Sequence, residues 1–402
     1  MKNVIGNKLT VDNTIRRHYP AASNATIKQI HAIQGVGIEC LYMERIDSTA
    51  QQTNNIDFTY AANCWVTGIE SNMTNFSHIA VNYSTHILIR GNYFHHAHAY
   101  GEGGQAYGTT LEYASGDCLI ENNIFEHLRH SILVQAGANG NVFAYNYSTD
   151  PYWTQPPLPT NSAGDIVCHG NYPYLNLFEG NIIQNIVVDE SHGINGPYNT
   201  FYRNRAELYG IFTVAAASDS QNYAANEITN ATGYYLLTGL GFFESGNNVK
   251  GTIMPVNSPA PAENSLHRGF PPGYWPSQSA YPSIGTPHPY NQGTNAAKQR
   301  FSSSQKTDCR RNPVYVTVQS IANTPGITIV PNPFYEAIHI KTGYIQDAQY
   351  SLYNITGRII LSGKVPGNDT IINTSSIPTG LYILEISDNN GYHTYNKLLK
   401  AE

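Results

Sequence analysis

Along the first two-thirds of the chain, apolar and polar residues alternate in short runs, and most runs close on an asparagine. The runs are Ile87–Phe94 around Asn92, Cys118–Phe125 around Asn123, Asn141–Tyr147 around Asn146, Asn176–Ile183 around Asn181, Asn199–Arg205 around Asn204, Asn222–Ile228 around Asn226 and, more loosely, Phe243–Val249 around Asn247. From Asn92 onward the steps between these asparagines are 31, 23, 35, 23, 22 and 21 residues. A base period near ~22 residues with two enlarged steps is that of a solenoid with loops inserted into particular turns. The runs are of strand length, lack helical spacing and can bury their apolar faces only by stacking. Stacked asparagines can then hydrogen-bond amide to amide along the pile. The pattern predicts a parallel β-helix over residues 1–254, right-handed by the general rule for parallel crossovers, with Asn92, Asn123, Asn146, Asn181 and Asn204 in one column.

The pattern changes twice after that. Residues 255–325 lose the repeat and gain prolines (Pro255, Pro259, Pro261, Pro271, Pro272, Pro276, Pro282, Pro287 and Pro289). Phe270, Tyr274 and Trp275 in this stretch predict an ordered segment wrapped over the end or flank of the coil, followed by a link through Ser302–Ser304 and Arg310-Arg311. From residue 326 to 402, Ile327–Phe334, Tyr350–Arg358, Ile377–Leu384 and Lys397–Lys400 read as short strands of a small antiparallel β-sandwich. The fold class is all-β.

Composition narrows the function classes. Only 12% of residues are charged, against 30 tyrosines and 34 glycines, which suits an extracellular β protein. A net charge of −6 argues against a nucleic-acid surface and gives no electrostatic reason for membrane adhesion. No apolar run is long enough for a transmembrane segment, and a monomer is expected. Cys40, Cys64 and Cys118 occupy matching places in the repeat, with Ile87 in the same slot, and predict an interior column of small apolar side chains. With Cys168 and Cys309 the count is odd, so no disulfide framework is expected.

Two resemblances follow from these residues. The asparagine repeat resembles the right-handed parallel β-helix of the pectate lyase superfamily over roughly residues 25–255. That superfamily includes lyases, hydrolases, esterases and non-catalytic adhesins, so the resemblance implies a fold and leaves the reaction to the site. Its lysine- and arginine-rich site with calcium-binding aspartates has no counterpart here, because lysine is nearly absent between residues 29 and 249; calcium is not indicated by a motif. The paired aspartates and Arg-Ile-Lys segment of polygalacturonases are also missing, and Cys168-His169-Gly170 is only faintly similar to their Gly-His-Gly. No catalytic residue is carried over. The second resemblance is C-terminal. Pro331-Asn332-Pro333, Leu352–Arg358, Pro378–Tyr382 and a terminal lysine, in that order, resemble the sorting domain of the type IX secretion system of Bacteroidetes. It implies contact with that machinery, export across the outer membrane, and release or attachment at the cell surface. Residues 1–24 lack a basic start and apolar stretch, so the signal peptide that export needs is expected to be missing from this chain.

In a β-helix, equivalent positions on adjacent coils lie about 4.8 Å apart. Offsets from the asparagine column then put Asn82, Glu112, Gln135 and, shifted by one, His169 on one face, with Asp189, Glu190 and His192 in the next coil's version. Arg129-His130 follows the column by six and seven residues. The enlarged steps place insertions at 99–110 and 150–163, walling that face with Tyr100, Tyr107, Tyr152 and Trp153, flat rings suited to a sugar chain. His95, His96 and His98 lack the convergent partners a zinc site needs and read as hydrogen-bonded or groove-lining groups. Glu121 and Glu179 read as solvated outer-face carboxylates, with Arg203 and Arg205 as cation partners for them.

Two chemistries compete for such a groove. A lyase acting on a uronic-acid polymer must neutralise a carboxylate and remove the adjacent proton. A hydrolase needs two carboxyls about 5–5.5 Å or about 6.5–9.5 Å apart, whereas Glu112 and Asp189, three coils apart, would be separated by about 14 Å. The sequence therefore predicts a secreted polysaccharide lyase, with a glycoside hydrolase or a glycan-binding adhesin as alternatives. Arg129 is assigned to carboxylate neutralisation, His169 to proton abstraction and His130 as substitute base. Glu112, Gln135, Asp189, His192, Tyr107 and Trp153 are assigned to substrate contact, with no metal ligand.

Overall fold

A computed structural model describes residues 3–6, 8–11, 15–101, 103–155, 163–214, 218–275, 280–309, 327–342, 348–354, 358–388 and 393–401. Parts of the 150–163 insertion, the Arg310-Arg311 link and the middle of Tyr350–Arg358 lie outside the described residues. The repeat folds as a parallel β-helix. One face is a nine-stranded sheet running from Gly37–Glu39 to Phe243–Ser245 in coil order. The other two faces belong to a 16-stranded sheet, made continuous because Ile182–Val188 and Arg205–Thr213 each run round the corner between them.

The asparagine column is present and extends beyond the five positions expected, through Asn226 to Asn247. Each side chain is buried and does three jobs, as Asn123 illustrates. Its Nδ2 donates to the carbonyl of Ile89 at 3.0 Å and to Oδ1 of Asn146 at 3.0 Å, while its own Oδ1 accepts the Asn92 backbone N–H at 3.1 Å. The residue before each ladder asparagine has a positive φ, as at Asn122, Tyr145, Arg203 and Ala225, so the turn leaves backbone groups that the amide satisfies. Five residues upstream runs a second ladder, Asn141, Asn176, Asn199 and Gln221, with amide-to-amide bonds of 3.0, 2.9 and 3.0 Å. Between the ladders, Phe143, Phe178, Phe201 and Tyr223 stack inside the coil at centroid separations of 4.8, 4.9 and 5.1 Å.

Cys40 departs from the expected column. Cys64 and Cys118 are buried in the coil as expected, but Cys40 sits at the positive-φ turn (φ 52°) and forms a disulfide with Cys309. An odd count hid the pair, because the two residues are 269 apart and belong to different segments. Gly68 occupies the same turn one coil on (φ +63°), where a Cβ would lie 2.7 Å from the Cys309 backbone, so the close approach requires glycine at a turn that other coils fill with larger residues.

The proline-rich segment runs back along the stack, from the last coil to the first. Arg203 donates to the carbonyl oxygens of Glu263, Pro261 and Thr286. Asn295, which caps the helix Ala296–Phe301, donates to the carbonyl of Asn146 at 2.9 Å, and Asp308 N–H meets Gly91 O at 2.6 Å. Glu121 and Glu179 are not solvated: this strap buries them. Glu121 binds Arg90, Arg268 and the Tyr274 hydroxyl, and Glu179 binds His267, the Leu266 N–H and the Tyr145 hydroxyl. Arg205 pairs with Glu227 instead, at 2.6 Å. C-terminal to the strap, a three-stranded and a four-stranded antiparallel sheet enclose a core of Phe334, Ile338, Ile340, Leu352, Leu384 and Ile386.

Candidate functional site

On the outer side of one face, consecutive coils place Thr59, Asn82, Glu112, Gln135, His169 and Asp189 in a single row. The ladder pairs Thr59 with Asn82 and Asn82 with Glu112. It continues through Gln135 N–H to Leu111 O, His169 N–H to Val134 O and Asp189 N–H to Cys168 O. His169 is in register, so the one-residue shift read from the sequence is absorbed by the turn after it, between His169 and Asn176. The row alternates outward with the core residues Val81, Leu111, Val134, Cys168 and Val188, which is why the coil presents polar groups here as a fixed array.

This row is the floor of a groove of about 680 Å³, lined by Gln52, Asn54, Asp57, Phe76, Asn82, Gly103, Gly104, Tyr107, Glu112, Tyr113, Arg129, Leu133, Gln135, His169, Ser191 and His192. Six of the nine anticipated residues therefore line one cavity: Tyr107, Glu112, Arg129, Gln135, His169 and His192. The other three stand behind them. Asp189 accepts from His169 Nδ1 at 2.8 Å and, through its other oxygen, from the Ser191 N–H at 3.0 Å. Because a carboxylate accepts and the ring nitrogen must donate, His169 keeps its Nε2 lone pair free of the pair. Trp153 packs under the Arg129 guanidinium, 4.7 Å from ring to cation. His130 is buried between Tyr107 and His169, its Nδ1 donating to Gly164 O at 2.6 Å. Burial, Arg129 and His169 push it well below the usual imidazole range. A neutral His130 supports the two rings and does not line the groove.

The remaining electrostatics are local. Burial raises the Glu112 carboxyl, opposed by Gln135 and His169. Burial also pushes the Tyr107 phenol up to about 12, with Arg129 opposing, so it stays protonated at neutral pH. Arg129 is fixed by donation to Gly101 O at 2.6 Å. The insertion holding Gly101 is shorter than expected, since Tyr107–Glu112 is already strand. It is tied to the first coils by Gln52 donating to Gly103 O at 2.8 Å, and to the second insertion by Thr154 N–H and Tyr100 O. Tyr100 and Tyr152 turn from the groove and pack on His127.

Sequence reasoning missed Gln52, Asn54, Asp57, Phe76, Tyr113 and Ser191. Gln52, Asn54 and Asp57 belong to the coil whose ladder position is Ile69, which offers no asparagine to count from. His95, His96 and His98 lie elsewhere. His95 meets Glu70 at 3.2 Å and His96 at 2.9 Å, His98 donates to Arg45 O at 2.9 Å, and His96 sits at a positive-φ corner rather than in a strand.

Comparison with known proteins bears on the other end of the chain. Residues 328–401 match the family model of the secretion system C-terminal sorting domain. The chain carries a sorting domain. It supports a secreted or cell-surface protein that meets the type IX machinery, as the C-terminal motifs led us to expect. No curated protein matches the chain. No helix of the described residues is long and apolar enough to cross a membrane.

Proposed function

We propose that the protein is a polysaccharide lyase that cleaves a uronic-acid-containing polymer by β-elimination in this groove. The observation supporting it is His169, oriented by Asp189, in a cavity shared with Arg129 and Tyr107. Arg129 binds the uronate carboxylate and stabilises the negative charge that develops on it when the adjacent proton leaves. His169 Nε2 takes that proton, and the released electron pair forms a carbon–carbon double bond. The bond from the neighbouring carbon to the glycosidic oxygen breaks, and this oxygen takes the Tyr107 proton. Burial suits Tyr107 to the task by keeping it protonated.

Hydrolysis fits less well. Glu112 and Asp189 are three coils apart, about 14 Å by strand spacing, too far for a glycosidase pair, and Asp189 is engaged with His169. The test is incubation of the secreted protein with a panel of uronic-acid polysaccharides while following the ultraviolet absorbance of the unsaturated product. Chain shortening with that absorbance supports the proposal; new reducing ends without it would replace elimination with hydrolysis.

A further inference from the structure

The charges along the groove have an order that bears on which uronic-acid polymer fits, and this inference rests on the elimination reading above. Arg129 is the only lysine or arginine among the described lining residues. It belongs to the coil of Gln135, since its backbone N–H bonds to Ala106 O in the coil of Glu112. One coil toward the N-terminus the floor holds Glu112. Two coils away it holds Asn82, which is neutral. Three coils away the row holds Thr59, and Asp57 stands two residues before it in the same strand, in the column of Leu133, Thr110 and Ala80. Asp57 is exposed and accepts from Asn54 at 2.8 Å; Glu112 is bonded to Gln135.

A sugar unit in an extended chain advances about as far as one coil, ~4.8 Å. A chain lying along the axis with a uronate at Arg129 would therefore place its next unit at Glu112, the following one at Asn82 and the one after at Asp57. A carboxylate at Glu112 meets repulsion or forces the buried carboxyl to take up a proton, and either is unfavourable. A carboxylate at Asp57 faces a like charge three coils from Arg129, the one lysine or arginine among the described lining residues. At Asn82 a carboxylate meets an amide and no charge. The array accepts charge at alternate units and opposes it at those between. We infer that the substrate is an alternating heteropolymer, one uronate followed by one neutral sugar, and that homopolyuronates are poor ligands.

Binding separates this from the chemistry. Length-matched oligosaccharides, one alternating and one all-uronate, are titrated calorimetrically into the full-length His169→Ala protein. The alternating chain is expected to bind at least about tenfold more tightly at low salt, with the gap narrowing as salt rises. Asp57→Asn, an exposed and conservative change, is expected to strengthen all-uronate binding by roughly threefold and alternating binding by less, so that the ratio between them narrows. Equal or tighter binding of the all-uronate chain, a ratio unmoved by Asp57→Asn, or binding of neither chain would overturn the inference. Alternating preference without any unsaturated product from the parent protein would sustain it and remove the elimination reading.

Discussion

Asn123 shows how much one side chain can hold when its whole hydrogen-bonding capacity is used inside a coil. Asn123→Ala removes bonds to Ile89 O, Asn146 and the Asn92 N–H at once. Each buried group left unpaired costs about 1–3 kcal/mol, so a fall in unfolding free energy of several kcal/mol is expected in denaturant titration. An unchanged midpoint would mean the ladder is incidental. His78 is a second residue with a measurable signature. Its Nε2 donates to His96 O at 3.2 Å and its Nδ1 accepts from the Ser71 hydroxyl at 2.8 Å. Burial, with His95 and His96 beside it, lowers it from 6.5 to about 3. The folded chain keeps the ring neutral while the unfolded chain takes a proton below about 6.5. The stability it contributes is therefore full above that pH and is lost as pH falls toward 3, by up to about 1.4 kcal/mol per unit. Thermal melts from pH 7 to 4 should show a flatter decline for His78→Gln than for the parent. The ladder asparagines were legible because they repeat; His78 was not, because its partners come from other turns of the chain that no local spacing reveals.

Among the elements, the strap from residue 255 to Cys309 ties together coils that are far apart in the stack. It carries the partners of the buried carboxylates Glu121 and Glu179, and the disulfide fastens its end to the first coil. Cys309→Ser is expected to lower stability by about 2–5 kcal/mol while leaving the ladder sheet folded, which melting under oxidising and reducing conditions would measure. Equal melting of the parent in both conditions would show that the bond bears no load. The prolines and aromatic residues announced an ordered wrapping segment. Its anchoring was hidden, since Glu121 and Glu179 occupy positions that face solvent in a bare coil and become buried only when Arg268 and His267 arrive from about 90 to 150 residues away. The floor of the groove was legible for the opposite reason: parallel in-register stacking converts sequence offset into position, so Asn82, Glu112 and Gln135 could be aligned by counting, His169 to within one residue and Asp189 only to its segment. Where the count had no asparagine to start from, Asp57 stayed unseen.

For the whole molecule, the proposed function has the sorting domain and the β-helix divide the work between delivery and chemistry. A chain ending at about residue 320 keeps every groove residue and the disulfide; we expect it to retain activity on any substrate the full chain cleaves and to lose export. Loss of turnover in a well-folded truncation would assign the C-terminal strands a part in the site. The groove itself is most directly tested by one comparison. Parent and His169→Ala proteins are incubated with an alternating uronate polymer, and the unsaturated product is followed by its ultraviolet absorbance. The expected result is steady formation by the parent and a rate at least about 10²-fold lower for the variant, the usual contribution of a positioned base, with both showing the same melting temperature. Equal rates from the two proteins would contradict the account.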